Sequence, residues 1–227
     1  MSTVLVIKVH PHTPESLSLT VGDKFIAEYK KSHPSDKVIV RDLYKDGVPP
    51  LNDVTMSAWQ KQKFEQPMTQ AEKDLLAQHE EWLNEFIAAD KYVFINPMYN
   101  HFLPAELKQY LDLTAVAHKT FKYTENGSVG LLKNKKALHI QAAGNIYHEQ
   151  PKRRTLKFLF EKITKGASNT SCPLTDLGSM YLSNMLKFYG VNDMSSLYIE
   201  GADKYRDRRQ AILDKALQEA SKKAKEF

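Results

Sequence analysis

The sequence predicts one α/β domain built on a doubly wound, parallel sheet of five strands. Short apolar runs rich in β-branched residues alternate with longer segments of helical period. The alternation runs through all 227 residues without an internal repeat. That is the pattern of βα units covering both faces of a parallel sheet. Several apolar runs also break off into polar or aromatic loops, and in open α/β sheets ligands bind outside the carboxyl ends of the strands.

Val4 to Val9 reads as the first strand, too short and without the cleavage site that a signal peptide would show. The loop His10-Pro11-His12-Thr13-Pro14-Glu15-Ser16-Leu17-Ser18 follows, where two prolines forbid regular structure. From Ser18 a helical pattern runs through Leu19, Val21, Phe25, Ile26 and Tyr29. A helix start with hydroxyls beside it suits phosphate, and it also suits plain capping by Ser16 or Ser18. No glycine-rich dinucleotide fingerprint and no Walker motif stands here, so a mononucleotide phosphate is the better fit.

Lys37 to Leu43 reads as the second strand, followed by a loop at Asp46 to Leu51 and a helix over Thr55 to Phe64. Thr69-Gln70-Ala71-Glu72 has capping-box form and opens a long helix that ends at Asp90. The third strand, Tyr92-Val93-Phe94-Ile95-Asn96, stops at Pro97, and the loop Met98-Tyr99-Asn100-His101 leads to Pro104. A helix is expected from Pro104 to about Ala117-His118, then an aromatic loop from Phe121 to Gly127. Lys136 to Ala142 reads as the fourth strand, continuing into Ala143-Gly144-Asn145-Ile146-Tyr147. Residues 148–175 form a long basic connection around one helical segment. A helix over Thr175 to Tyr189 closes at Gly190, Ser196 to Gly201 is the fifth strand, and a lysine-rich helix runs from Asp203 towards Phe227.

Composition narrows the function. The chain is 42% hydrophobic with a net charge of +5 and one cysteine. No apolar run approaches a membrane span. One cysteine, Cys172, excludes an internal disulfide and is consistent with a reduced, cytoplasmic setting; no nucleophile signature surrounds it. The excess charge sits on Lys152, Arg153, Arg154 and their neighbours and on the C-terminal lysines. The first reads as a solvated helix face, the second suits the negative C-terminal end of the last helix, and no nucleic-acid motif accompanies the charge. His10, His12, His101, His118, His139 and His148 lack the spacing of a zinc helix, so no metal is expected.

Three stretches carry a resemblance: Asn96-Pro97-Met98-Tyr99-Asn100 with Leu107 to Asp112, Thr120 to Gly127 with Gly130-Leu131, and the opening strand with Ser16-Leu17-Ser18. Over nearly its whole length the sequence resembles the FMN-dependent NADH-azoreductases, relatives of NAD(P)H:quinone oxidoreductases with a flavodoxin-like fold. The resemblance implies an FMN phosphate held by Ser16, Leu17 and Ser18, with a contact from His10, where the family often has serine. It implies a flavin ring on Pro97, Met98, Tyr99, Asn100 and His101, with Ala142, Ala143, Gly144 and Asn145 at the pyrimidine edge. Relatives often carry Gly-Gly where this chain has Gly144-Asn145. Phe121, Tyr123 and Asn100 are the expected substrate-side residues, and the N–H groups of Met98 to Asn100 are expected near the ring.

The implied reaction is ping-pong: NADH reduces FMN and leaves, and a quinone or azo dye then takes two electrons. Hydride chemistry belongs to the flavin, so no catalytic side chain is required. The implied assembly is a homodimer with the flavin at the interface. The rival reading is a non-enzymatic flavodoxin-like electron carrier or regulator.

Overall fold

The computed structural model describes residues 1–13, 15–148 and 175–227. Cys172, the basic cluster from Lys152 and the helical segment expected within 148–175 lie outside the described residues.

Five parallel strands form the main sheet: β1 (Thr3–Lys8), β2 (Lys37–Asp42), β3 (Lys91–Pro97), β6 (Lys136–Ala143) and β7 (Asp193–Glu200). Their order is β2-β1-β3-β6-β7. The chain therefore moves outward from β1 to β2, then returns to the other side of β1 to lay down β3. That reversal puts a crevice at the carboxyl ends of β1 and β3.

Side chains alternate across each strand and feed two cores. Leu5, Ile7, Tyr92 and Phe94 face one way. They pack on α4 (Gln70–Ala88), α5 (Ala105–Thr114) and α6 (Leu177–Tyr189) through Phe86, Tyr110 and Leu186. Val4, Val6, Val93, Ile95 and Leu138 face the other way. They meet α1 (Leu17–Ser32) and α7 (Arg209–Glu226) through Val21, Phe25, Ala216 and Ala220. Each helix stays amphipathic because only one of its faces reaches the sheet. Among the described residues no helix is long and apolar enough to cross a membrane.

The caps expected from the sequence form. Thr69 accepts from the Glu72 N–H at 3.2 Å while Glu72 accepts from the Thr69 N–H at 2.8 Å, closing the capping box of α4. Gly190 ends α6 in the left-handed region at φ 99°, where its N–H meets the Leu186 and Lys187 carbonyls. Two smaller helices were read in part: α2 (Leu43–Asp46) lies where the sequence suggests strand end and loop, and α3 (Asp53–Lys63) starts two residues before Thr55.

Further boundaries differ from the sequence reading: β7 starts at Asp193, three residues before Ser196. The helix α5 ends at Thr114, not at Ala117-His118, because the Thr120 hydroxyl donates to the Thr114 carbonyl at 2.8 Å and accepts from the Val116 N–H. The aromatic stretch is not a loop but a hairpin, β4 (Phe121–Thr124) and β5 (Gly127–Gly130). It docks on the end of α6, where the Phe121 ring packs at a tilt 4.2 Å from that of Phe188. The last helix begins at Arg209, not Asp203, because residues 201–205 fold back on the sheet edge. There the N–H groups of Asp203 and Lys204 bond to the Gly144 carbonyl at 3.2 and 3.1 Å.

Candidate functional site

The β1/β3 crevice opens into a cleft of about 330 Å³. Its first wall is the loop after β1, contributing His10, Ser16, Leu17 and Ser18 together with Thr13 and Glu15. Ser16 is the N-cap of α1, its Oγ accepting from the Leu19 N–H at 3.3 Å. Helix geometry leaves the N–H groups of Leu17 and Ser18 without an intrahelical acceptor, and they open the positive end of the helix dipole. Ser18 is buried, with its Oγ 3.3 Å from the Ser16 Oγ. His10 is also buried, and its Nδ1 has no hydrogen-bond partner. Burial, aided by His12, pushes its pKa below the usual imidazole value. An unpartnered buried imidazole, free N–H groups and two hydroxyls make a donor set suited to an anion.

The second wall is the end of β3, with Pro97, Met98 and Tyr99. Tyr99 and Phe102 exchange backbone hydrogen bonds at 3.0 and 2.9 Å. Between them Asn100 and His101 take positive φ, 49° and 66°. This is a two-residue hairpin turn needing left-handed backbone twice, which Asn and His tolerate better than most residues. Asn100 and His101 are exposed at its tip and do not line the cleft. The N–H groups of Met98 and Tyr99, expected to face a ring, are committed elsewhere. Met98 donates to the Ala142 carbonyl at 2.7 Å, extending the β3–β6 pairing, and Tyr99 donates to Phe102 to close the turn.

The third wall is the end of β6, with Ala142, Ala143 and Gly144. A Cβ on Gly144 would lie 2.3 Å from an Asp203 carboxylate oxygen, so a side chain here must displace Asp203. Asn145 lies just beyond the cleft, its Oδ1 accepting from the Ile146 N–H at 2.8 Å. The remaining lining residues are Ala202, Asp203 and Arg209, from the segment after β7. The sequence reading places Asp203 and Arg209 in the last, amphipathic helix and gives Ala202 no role, so none of the three is expected at the site. The signal that could have found them is topological: the segment after any strand of a parallel sheet leaves at the carboxyl edge, where the site lies.

The hairpin residues stand apart from the cleft. Tyr123 is 72% exposed, and Phe121 is buried against Phe188, with little surface left to offer a substrate.

Beneath the second and third walls lies a buried polar network. Asn96 donates from Nδ2 to the Pro97 carbonyl at 2.9 Å, leaving its Oδ1 to accept from His139 Nε2 at 2.9 Å. The other ring nitrogen of His139 stands 3.3 Å from the Ser179 hydroxyl, itself bonded to Asp176 at 2.8 Å. Gln141 also donates to Asp176. Burial drives the His139 pKa down from 6.5 to about 4, so the ring is neutral. No group of three or more His, Cys, Asp or Glu among the described residues is arranged to hold a metal ion.

The sequence profile of the flavodoxin-like fold matches residues 2–169. A protein of Lactiplantibacillus plantarum named FMN-dependent NADH:quinone oxidoreductase 2 is 48% identical over 228 residues, covering both chains fully. FMN-dependent NADH:quinone oxidoreductase 1 of Lactococcus lactis is 42% identical, again over both full lengths. This chain belongs to the FMN-dependent NADH:quinone oxidoreductase family, of flavodoxin-like fold. Solved azoreductases superpose along the whole family fold. One from Bacillus anthracis has a TM-score of 0.82 at 32% identity and covers both chains fully. A second from that organism, an FMN-dependent NADH-azoreductase in complex with FMN, has a TM-score of 0.84 at 30% identity over 99% of this chain and 98% of its own. The fold of this chain is thus shared with a solved azoreductase that is in complex with FMN.

Proposed function

We propose that this chain is an FMN-dependent oxidoreductase that takes electrons from NADH and gives them to quinones and aromatic azo compounds. The observation that carries the reading is the convergence of three strand-end loops on one cleft at the sheet's reversal point, with an anion-suited donor set at one end. The L. plantarum and L. lactis relatives bear that activity in their names.

The residues present fit FMN. His10 Nδ1 is a buried polar atom without a partner. Ser16, Leu17 and Ser18 supply hydroxyls and helix N–H groups for a phosphate. Pro97 and Met98 offer an apolar seat for a ring, and Ala142, Ala143 and Gly144 let a flat edge come close to the backbone. Bound there, FMN supplies the hydride chemistry, two electrons at a time. The protein's part is to bind, orient and exclude water. Donor and acceptor use the open side of the cleft in turn, a ping-pong scheme. Asn100, His101 and Tyr123, exposed in one chain, are the side chains that a second copy can bring over the cleft, so the working unit is a homodimer with the site at its interface. The cytoplasm, where thiols stay reduced and NADH is available, is the compartment this reading assigns.

The test is direct. Purified protein is expected to be yellow and to bleach with NADH under nitrogen, then recolour on adding a quinone or an azo dye. A colourless protein without FMN affinity refutes the reading. A yellow protein indifferent to NADH makes it a carrier instead.

A further inference from the structure

The cleft holds one charge that the phosphate loop alone does not explain. Arg209, the first residue of α7, lines the same cleft as His10, Ser16 and Ser18. We infer that Arg209 is a ligand of the flavin's terminal phosphate, and that it makes this site select the mononucleotide over the unphosphorylated flavin. The inference rests on the FMN reading above.

The guanidinium is held at the phosphate end. Its Nη2 donates to the Glu15 carbonyl at 3.2 Å, directly before the Ser16 cap. Its Nη1 stands 3.6 Å from an Asp203 carboxylate oxygen. Arginine carries five N–H donors, and one hydrogen bond plus one loose ion pair leave most of them to give. The Asp203 side chain is 73% exposed, so the pair is weak and easily exchanged for a better anion.

Charge makes the need for it plain. Two carboxylates, Glu15 and Asp203, line the cleft that a phosphate dianion must enter. Burial lowers the His10 pKa and so disfavours its charged form. Arg209 is the one lining side chain, among the described residues, with a permanent positive charge. A planar guanidinium bonds phosphate in two-pronged fashion, which a helix terminus with hydroxyls does not reproduce. Without it the two carboxylates oppose the dianion unrelieved; with it one positive charge stands at the phosphate end to offset part of that repulsion.

The experiment titrates FMN and riboflavin separately into the full chain stripped of flavin, following flavin fluorescence at low and high salt. Arg209→Gln is expected to weaken FMN binding roughly 10- to 100-fold while changing riboflavin binding less than about twofold. It should also flatten the salt dependence of FMN binding. Equal weakening of both flavins shows that Arg209 is only a strap between Glu15 and Asp203, and overturns the inference. Unchanged FMN affinity overturns it too. Should Arg209→Gln fail to fold, Arg209→Lys decides: losing the two-pronged guanidinium while keeping the charge is expected to weaken FMN roughly 3- to 10-fold and leave riboflavin within about twofold, and an unchanged FMN-to-riboflavin ratio refutes it. Wild-type protein that binds neither flavin refutes the FMN reading itself, a different outcome from wild-type binding with an indifferent variant.

Discussion

His139 offers a quantitative test of the polar network under the cleft. Its ring is fully buried on β6, and burial lowers its pKa from 6.5 to about 4. In the unfolded chain the ring takes a proton at its ordinary value, so between those two values the unfolded state binds more protons. Stability from this group is therefore intact above pH 6.5 and lost as pH falls towards 4. Each pH unit in that window costs about 1.4 kcal/mol, so the full loss is about 3 kcal/mol, and about 2 kcal/mol has gone by pH 5. The Asp176 carboxylate nearby works against the shift, and His148 works with it.

The assay is urea unfolding of wild type and His139→Gln at pH 7, 6 and 5, on protein stripped of flavin so that ligand binding does not mask the slope. The glutamine keeps a donor near Asn96 but has nothing to titrate. It is expected to be less stable than wild type at pH 7, because a packed ring and its bonds are lost. Its stability should then fall less with acid, the gap narrowing by about 2 kcal/mol at pH 5. Parallel loss in the two proteins would mean that His139 is charged in the fold or open to water, and the argument for a neutral buried ring would fail.

Three further outcomes follow from the same structure. Ser18→Ala should weaken FMN binding about tenfold in a fluorescence titration, since one hydrogen bond to a charged group is worth roughly 1.5 kcal/mol; unchanged affinity contradicts a phosphate role for the buried hydroxyl. Thr69→Ala should destabilise the protein by about 1 kcal/mol in urea by opening the capping box of α4, with flavin affinity untouched. Light scattering should report a dimer in solution, and a fully active monomer would exclude a site shared between two chains.

The sheet was legible because a buried parallel strand has few ways to be written. Val4 to Ile7 and Val93 to Ile95 are apolar on both faces, and both faces are covered by helices. The cap at Thr69 was legible because its chemistry is local. The hairpin from Phe121 to Gly130 was not, although Asn126-Gly127 marked its turn. Its strands are four residues each and mostly exposed, so no hydrophobic alternation announces them. What holds them is Phe188, from a helix far along the chain. The histidines were misleading as a group and informative singly. In the sequence His139 is a polar residue within an apolar strand; only the fold brings Asn96, Ser179 and Asp176 to it.

The same contrast explains the site. Two walls of the cleft are written into loops whose residue types carry their own chemistry: hydroxyls at a helix start, and a proline closing an apolar strand. The third wall is written across the chain. A Cβ at Gly144 would meet the Asp203 carboxylate, and the Asp203 N–H bonds to the Gly144 carbonyl, so the two positions share one corner of the cleft. Arg209 then ties that turn to Glu15, at the opposite wall. A glycine at position 144 and an arginine at position 209 thus answer one another over sixty-five positions of sequence. Asn145, by contrast, lies outside the cleft and satisfies its own side chain on the next N–H. Position 144 thus brings bare backbone to the cleft wall, while the side chain at position 145 is accommodated beyond it.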